Sequence, residues 1–207
     1  MPPFSVRLTI FVVVAVVVSA LTLFIMFYGP VKRWLYKHFT VRMYYKTVRR
    51  VTYDNDYLLI NDFRNKVGSK ENFTIDHLMA GDKYFYVIRD RYYPGAISAK
   101  EDDAKWLYYK GKKKQIINNP MMLNRLRVEH LALLSNVDVK YFISIVLVND
   151  DCLMTPMDCT CNDSFLVSLK KFPKLIKIIE SSSDVEPLQK ESVAAAMKDF
   201  AKLNLNH

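Results

Sequence analysis

The sequence predicts an α/β domain that follows one transmembrane helix at the N-terminus. Three observations support this prediction. The run from Leu8 to Tyr28 is apolar and uncharged, two apolar runs over residues 73–80 and 84–88 flank a tight turn, and a helix pattern begins at Asn119-Pro120. Of the 207 residues, 51% are hydrophobic and 25% are charged, which is typical of a folded domain of ordinary size.

The run from Leu8 to Tyr28 has the properties of a membrane span. A helix rises about 1.5 Å per residue, so this run would cross a hydrocarbon core of ~30 Å. Tyr28 and Trp34 stand where interfacial aromatic residues are common. A cleaved signal peptide is the alternative, but Phe27-Tyr28-Gly29-Pro30 and a basic run stand where small residues of a cleavage site would be expected. We therefore expect a retained single-pass anchor over residues 1–30.

Basic residues are concentrated directly after this run. Before it the charges are Arg7 and the amino terminus, whereas residues 31–50 contain no acid and the following basic residues: Lys32, Arg33, Lys37, Arg42, Lys46, Arg49 and Arg50. The positive-inside rule then predicts that the C-terminal domain lies in the cytoplasm. A basic juxtamembrane helix is predicted over residues 31–52. It would contact anionic lipid headgroups or nucleic acid, or act as a topology signal alone.

The chain beyond the basic helix is expected to alternate strands and helices. Residues 57–63 read as a strand, and polar residues 61–72 as a loop before the central hairpin. Residues 106–109 and 115–117 are predicted strands around a lysine-rich turn. Pro120 suits the first turn of a helix, whose apolar stripe would be formed by Leu123, Leu126, Leu131 and Leu134.

The last part of the sequence predicts one buried strand and two helices. Residues 141–148 are nearly all apolar, as expected of a central strand buried on both faces. A short strand over 165–167 and a helical stretch over 169–180, interrupted by Pro173, should follow. Asp184 is a candidate cap for a final helix that ends near residue 203. Cys152, Cys159 and Cys161 have no fourth ligand nearby, so we expect ordinary thiols in a reducing compartment and not a zinc site.

An ordered set of short motifs lies in and after the hairpin. It consists of Ile75-Asp76-His77, the strand that ends at Arg89-Asp90-Arg91, and Tyr93-Pro94-Gly95-Ala96-Ile97, with Trp106, Asn119-Pro120 and the strand over 141–149 downstream. This order resembles the core of the nuclease-related domain (NERD) family, a branch of the PD-(D/E)XK nucleases, over roughly residues 36–170. The resemblance implies a restriction-endonuclease-like central mixed sheet flanked by helices. It places a NERD-like α/β domain at residues 53–170 and C-terminal helices at 171–207.

The resemblance also implies a set of catalytic positions, most of which differ here. Asp76 matches the first carboxylate and Arg91 stands where the family has a lysine. Arg89 replaces the expected Glu, Leu123 replaces a Gln, and no Glu precedes Glu71, although the first helix of the family supplies one. Phosphodiester hydrolysis needs carboxylates to hold a divalent metal. The expectation is therefore a domain without a metal cofactor that does not cleave, with Mg²⁺ required only if it is active.

Arg89 is expected to pair with Asp76 across the hairpin and to take the place of the metal charge, since a lone buried carboxylate is costly. Strand side chains alternate, so Asp90 should point to the opposite face. A basic site of Arg89, Arg91 and Arg127 could bind nucleic acid or another phosphate-bearing ligand. The lysine-rich tip would either extend that site or be solvated, and its residues are Lys112, Lys113 and Lys114.

Three functions remain open from the sequence. The first is a membrane-anchored, inactive NERD-like domain that binds nucleic acid or phosphate. The second is an active metal-dependent nuclease that uses Asp76 together with Asp90 on a bulged strand. The third is a membrane scaffold whose fold binds a protein partner, for which an exposed apolar patch would be the sign.

Overall fold

The computed structural model describes residues 3–67, 71–154, 162–182 and 185–205. These residues form two compact units, residues 1–40 and 41–207. The helices are α1 (Phe4–Asp54), α2 (Pro120–Ser135), α3 (Phe172–Ser182) and α4 (Lys190–Leu203). The strands are β1 (Leu58–Val67), β2 (Glu71–Ala80), β3 (Phe85–Arg91), β4 (Ala96–Ser98), β5 (Lys105–Lys110), β6 (Lys113–Asn118), β7 (Phe142–Val148), β8 (Leu153–Met154) and β9 (Ser164–Ser168).

The first unit is the apolar part of α1. Within it Leu8–Val31 has a mean hydropathy of 3.0 and lies outside any protein core. This length and composition meet the requirements of a membrane span, which a signal sequence also meets. The predicted basic helix over residues 31–52 belongs to the same continuous helix, because α1 does not end before Asp54.

The second unit is built on a mixed five-stranded sheet with the order β1-β2-β3-β7-β9. Strands β1, β2 and β3 are antiparallel, and β7 and β9 are parallel to β3. A second, four-stranded sheet has the order β6-β5-β4-β8. The predicted α/β class with a mixed sheet flanked by helices is confirmed, and the second sheet is an addition to it.

Helices cover both faces of the five-stranded sheet. On one face the C-terminal part of α1 and helix α3 pack against alternate residues of β3 and β7, with Val48, Tyr86, Ile145 and Phe172 fully buried. On the other face α2 and α4 pack against Val87, Phe142 and their neighbours. Strand β7 is buried along its whole length, as its apolar sequence predicts.

Two predictions about individual elements were wrong. A loop was predicted over residues 61–72, but residues 61–67 belong to strand β1 and residues 71–72 begin strand β2. Side chains of a strand alternate between two faces, and in this edge strand Phe63 is buried while its neighbours Asp62 and Arg64 are exposed. The segment can therefore be a strand although most of its residues are polar. Pro173 lies in the first turn of α3, where it does not interrupt the helix. Asp184, the predicted cap, lies outside the described residues.

The predicted apolar stripe of α2 was also wrong. Leu131 is buried, but Leu123, Leu126 and Leu134 are exposed. The buried face is formed by Met121, Asn124, Val128, Leu131 and Ala132. The reason is Asn124, whose amide group donates hydrogen bonds into the sheet and turns a different side of the helix toward the core.

Candidate functional site

Asp76 and Arg89 face each other where the β2–β3 ladder ends. The last paired residues of that ladder are His77 and Ile88, so the next residue on each strand is free of the ladder and close to its counterpart. The Nη1 atom of Arg89 lies 2.7 Å from Oδ1 of Asp76, with 16% and 28% of the two side chains exposed. The predicted ion pair between Arg89 and Asp76 is therefore confirmed.

The second carboxylate oxygen of Asp76 is also engaged. Its Oδ2 accepts a hydrogen bond of 2.7 Å from the backbone N–H of Asp90. A divalent cation at Asp76 would have to displace these donors and would lie against the guanidinium of Arg89. Within the four described ranges, no three His, Cys, Asp or Glu residues are grouped to hold a metal ion. The residues at this position do not fit a metal.

Asp90 lies on the opposite face of β3 from Arg89. Its Oδ2 is 3.1 Å from Nε2 of His77, whose Nδ1 is 2.6 Å from Oδ1 of Asn61. Burial raises the pKa of Asp90, and the hydrogen bond with His77 partly opposes this shift. Strand β3 keeps a regular parallel register with β7 through Arg91, so the bulge that would bring Asp90 to Asp76 is absent from this strand.

Arg127 reaches the same place from helix α2. Its Nε donates to the carbonyl oxygen of Thr74 at 2.9 Å, and its Nη1 donates to the carbonyl of Leu123 at 2.7 Å. Arg89 also donates to Thr74, to the carbonyl at 3.3 Å and to the hydroxyl at 3.1 Å. The guanidinium groups of Arg89 and Arg127 thus meet at one residue of β2.

The charges of the three predicted arginines act on one another. Burial lowers the pKa of Arg127 to about 10, and repulsion from Arg89 and Arg91 contributes to this shift. Burial also lowers the pKa of Arg89, while the carboxylate of Asp76 opposes it. We call Arg89, Arg91 and Arg127 the arginine cluster. Its three positive charges outnumber the two carboxylates that act on it, Asp76 and Asp90, so the site as a whole is positive.

The remaining predicted residues lie at different distances from the cluster. Leu123, which was predicted in the apolar stripe of α2, is 37% exposed, and its backbone carbonyl accepts a hydrogen bond from Arg127. The other predicted residues are exposed at the turn between β5 and β6, in the second sheet; they are Lys112, Lys113 and Lys114. Asp76 and Arg89 belong to the first sheet.

The polar residues that support this site were not predicted from the sequence. Asn149 is fully buried, and its side chain bonds both backbone groups of Tyr93, which fixes the chain just after Arg91. Asn61 and His77 hold Asp90 on the other face of β3. Asn149 directly follows an apolar strand, and a polar residue in that position was the sequence signal that could have indicated a supporting role.

Comparison with known proteins gives a family match. The family model described as the nuclease-related domain matches residues 42–149, a range that contains Asp76 and the whole arginine cluster. A solved structure, that of the protein of unknown function AF1548, shares 12% identity with a TM-score of 0.34. The similarity covers 78% of this chain and 79% of that one. The search of curated proteins found no match.

Proposed function

The chain belongs to the nuclease-related domain family, and from this we infer that it is a membrane-anchored member that binds a phosphate-bearing ligand without cleaving it. The observation that carries the proposal is the ion pair between Arg89 and Asp76. Asp76 matches a metal-holding carboxylate of the family only by resemblance, and the ion pair supports a fixed cation of the protein in place of that metal ion.

Loss of cleavage follows from the different chemistry of a bound metal ion and the guanidinium of Arg89. A bound metal ion lowers the pKa of a coordinated water and so generates a nucleophile. A guanidinium group coordinates no water in this way, and its pKa is too high for it to serve as a general base at neutral pH. Arg89 can therefore neutralise the charge of a phosphate but cannot activate the attacking water.

Binding of phosphate is supported by the composition of the arginine cluster. Arginine donates pairs of parallel hydrogen bonds to phosphate oxygens, which a lysine cannot do. The mutual repulsion that helps lower the pKa of Arg127 would be relieved by an anion placed between the arginines. The chain as a whole has a formal net charge of +9, which favours polyanions. We take nucleic acid, bound through its backbone, as the ligand class.

A titration with a fluorescein-labelled single-stranded oligonucleotide tests this proposal. The full chain in zwitterionic detergent should bind at low salt, and Arg127→Gln should weaken binding by about tenfold, as the loss of one charge-assisted contact predicts. The slope of log Kd against log salt should fall by about 0.7 for that arginine.

The matched control is Arg125→Gln, two residues earlier on the same helix and only partly exposed. It removes the same charge without touching Thr74, so its affinity should stay within about twofold of the parent chain. Absence of binding at low salt, or equal losses in the two variants, would reject the arginine cluster as a phosphate site.

The membrane part of the proposal rests on Leu8–Val31 and on the basic residues that follow it. We take this helix as a retained single-pass anchor. The excess of Lys and Arg over residues 31–50 supports a cytoplasmic location for the second unit, by the positive-inside rule.

A scaffold that binds a protein partner is a second candidate, and one observation favours it. Helix α2 exposes an apolar face in which Met122, Leu126 and Leu133 are 50%, 53% and 80% exposed. Exposed apolar surface of this kind is typical of interaction sites. If this were the function, the oligonucleotide titration would give no salt-dependent binding.

A further inference from the structure

The hairpin formed by β5 and β6, which belongs to the second sheet, has an outer face with exposed apolar side chains. Its inner face packs through Trp106, which is 1% exposed. On the outer face Leu107 is paired directly with Ile116, and Tyr109 with Lys114. Ile116 is 67% exposed and Tyr109 is 37% exposed. The outer face therefore combines aliphatic, aromatic and basic side chains.

The tip of the hairpin is strongly basic. Residues 104–118 contain no acidic residue, and the lysines are Lys105, Lys110, Lys112, Lys113 and Lys114. Lys110 and Lys113 are direct cross-strand partners, an arrangement that destabilises a hairpin through repulsion of like charges. The turn itself is tight, with Gly111 at a φ of 60°. A negatively charged surface next to the tip would remove the repulsion.

Strand β6 also forms an edge of the second sheet. All of its residues except the partly buried Ile117 are exposed. Lysine residues on an edge strand discourage pairing with another strand, so an added β-strand is a poor occupant. A surface that takes up aliphatic side chains and carries negative charge to attract lysine is a better partner for this edge than a β-strand.

We propose that the β5–β6 hairpin docks on an anionic phospholipid bilayer. The lysines of the tip bind the lipid headgroups, while Leu107, Tyr109 and Ile116 enter the boundary between headgroups and acyl chains. Nucleic acid would attract the same lysines. Its bases stack on aromatic rings, however, and such stacking does not account for an exposed isoleucine on the same face. The inference rests on the proposed anchor, which keeps a bilayer at high effective concentration.

The experiment uses the full chain in nanodiscs of phosphatidylcholine alone or mixed with phosphatidylserine. Ile116→Trp introduces a tryptophan on the outer face. Its emission is obtained by subtracting the emission of the parent chain, and lipid with brominated acyl chains serves as the quencher. In the anionic discs the bromine should quench about half of this emission, because the side chain would lie at the acyl boundary. In the zwitterionic discs the quenching should be much weaker.

Two controls separate docking from general proximity. Leu153→Trp places the probe on β8, at the other edge of the same sheet, where the native leucine is 72% exposed and quenching should stay low. Replacing Lys112, Lys113 and Lys114 together by Glu should abolish the quenching of Trp introduced at the Ile116 position. The same change at Lys171, Lys174 and Lys177, which are also exposed, should leave it intact.

The outcomes distinguish the inference from the proposed function. A chain that an alkaline wash extracts from the discs lacks the anchor, which overturns the docking and the membrane part of the proposed function. An anchored chain whose introduced tryptophan is equally quenched in the two lipid mixtures overturns the docking alone. So does an emission change at this site that requires an oligonucleotide and not anionic lipid, since the hairpin would then bind nucleic acid.

Discussion

Replacement of Arg89 by methionine should lower the free energy of unfolding by about 2–3 kcal/mol. The change removes the 2.7 Å contact with Asp76 and leaves a carboxylate that is only 28% exposed beside an apolar side chain. A fully buried pair would lose more, but the partial exposure of these side chains allows water to replace some of the interaction. Urea unfolding of the full chain in detergent, followed by the emission of buried Trp106, measures the effect.

A double-mutant cycle separates the ion pair from the general effect of the substitution. Asp76→Asn alone leaves Arg89 without its anion, whereas the double variant removes both charges. If the pair is formed as described, the double variant should be less destabilised than the sum of the single variants by about 1–2 kcal/mol. Strict additivity would mean that Arg89 does not compensate the charge of Asp76.

The second large effect is expected at Asn124, in the interior of the second unit. Its Nδ2 donates to the carbonyl oxygens of Val87 and Ile145, at 2.9 and 3.3 Å, and to the hydroxyl of Ser144 at 3.0 Å. Asn124→Ala would remove this donor from buried acceptors on two central strands. We expect a loss of about 2–3 kcal/mol in the same unfolding measurement.

Asn118→Ala is the matched control for Asn124, because Asn118 is exposed on the edge strand β6. Its effect should be within about 0.5 kcal/mol. Since Asn124 also sets the rotation of α2 about its axis, Asn124→Ala should weaken oligonucleotide binding through a displaced Arg127. A stable Asn124→Ala chain that unfolds like the parent would contradict the role given to this side chain.

Period-two alternation and the tight turn were enough to predict the centre of the site. They place Asp76 and Arg89 on neighbouring strands and send Asp90 to the other face, and the structure has both features. The continuous apolar run over β7 likewise predicted a strand buried on both sides. These features depend on local pattern alone, which a single sequence carries.

The errors arose where tertiary contacts override local pattern. A count of leucines predicted the wrong face of α2, since Asn124 is buried by bonds to strands that are distant in the sequence. The polar segment after Asn61 forms a strand because it pairs with β2 at five positions, from Phe63 to Val67. The separation of the chain into two sheets depends on the parallel pairing of β4 with the two-residue strand β8, which leaves little trace in sequence.

We propose that the guanidinium of Arg89 takes the place of the catalytic metal ion. The most direct test is to incubate the full chain and Asp76→Ala with supercoiled plasmid in the presence of Mg²⁺ or Mn²⁺, and to measure nicking. We predict no divalent-ion-stimulated nicking by either protein, and so no difference between them. Nicking that depends on the metal ion and disappears in Asp76→Ala would contradict the claim.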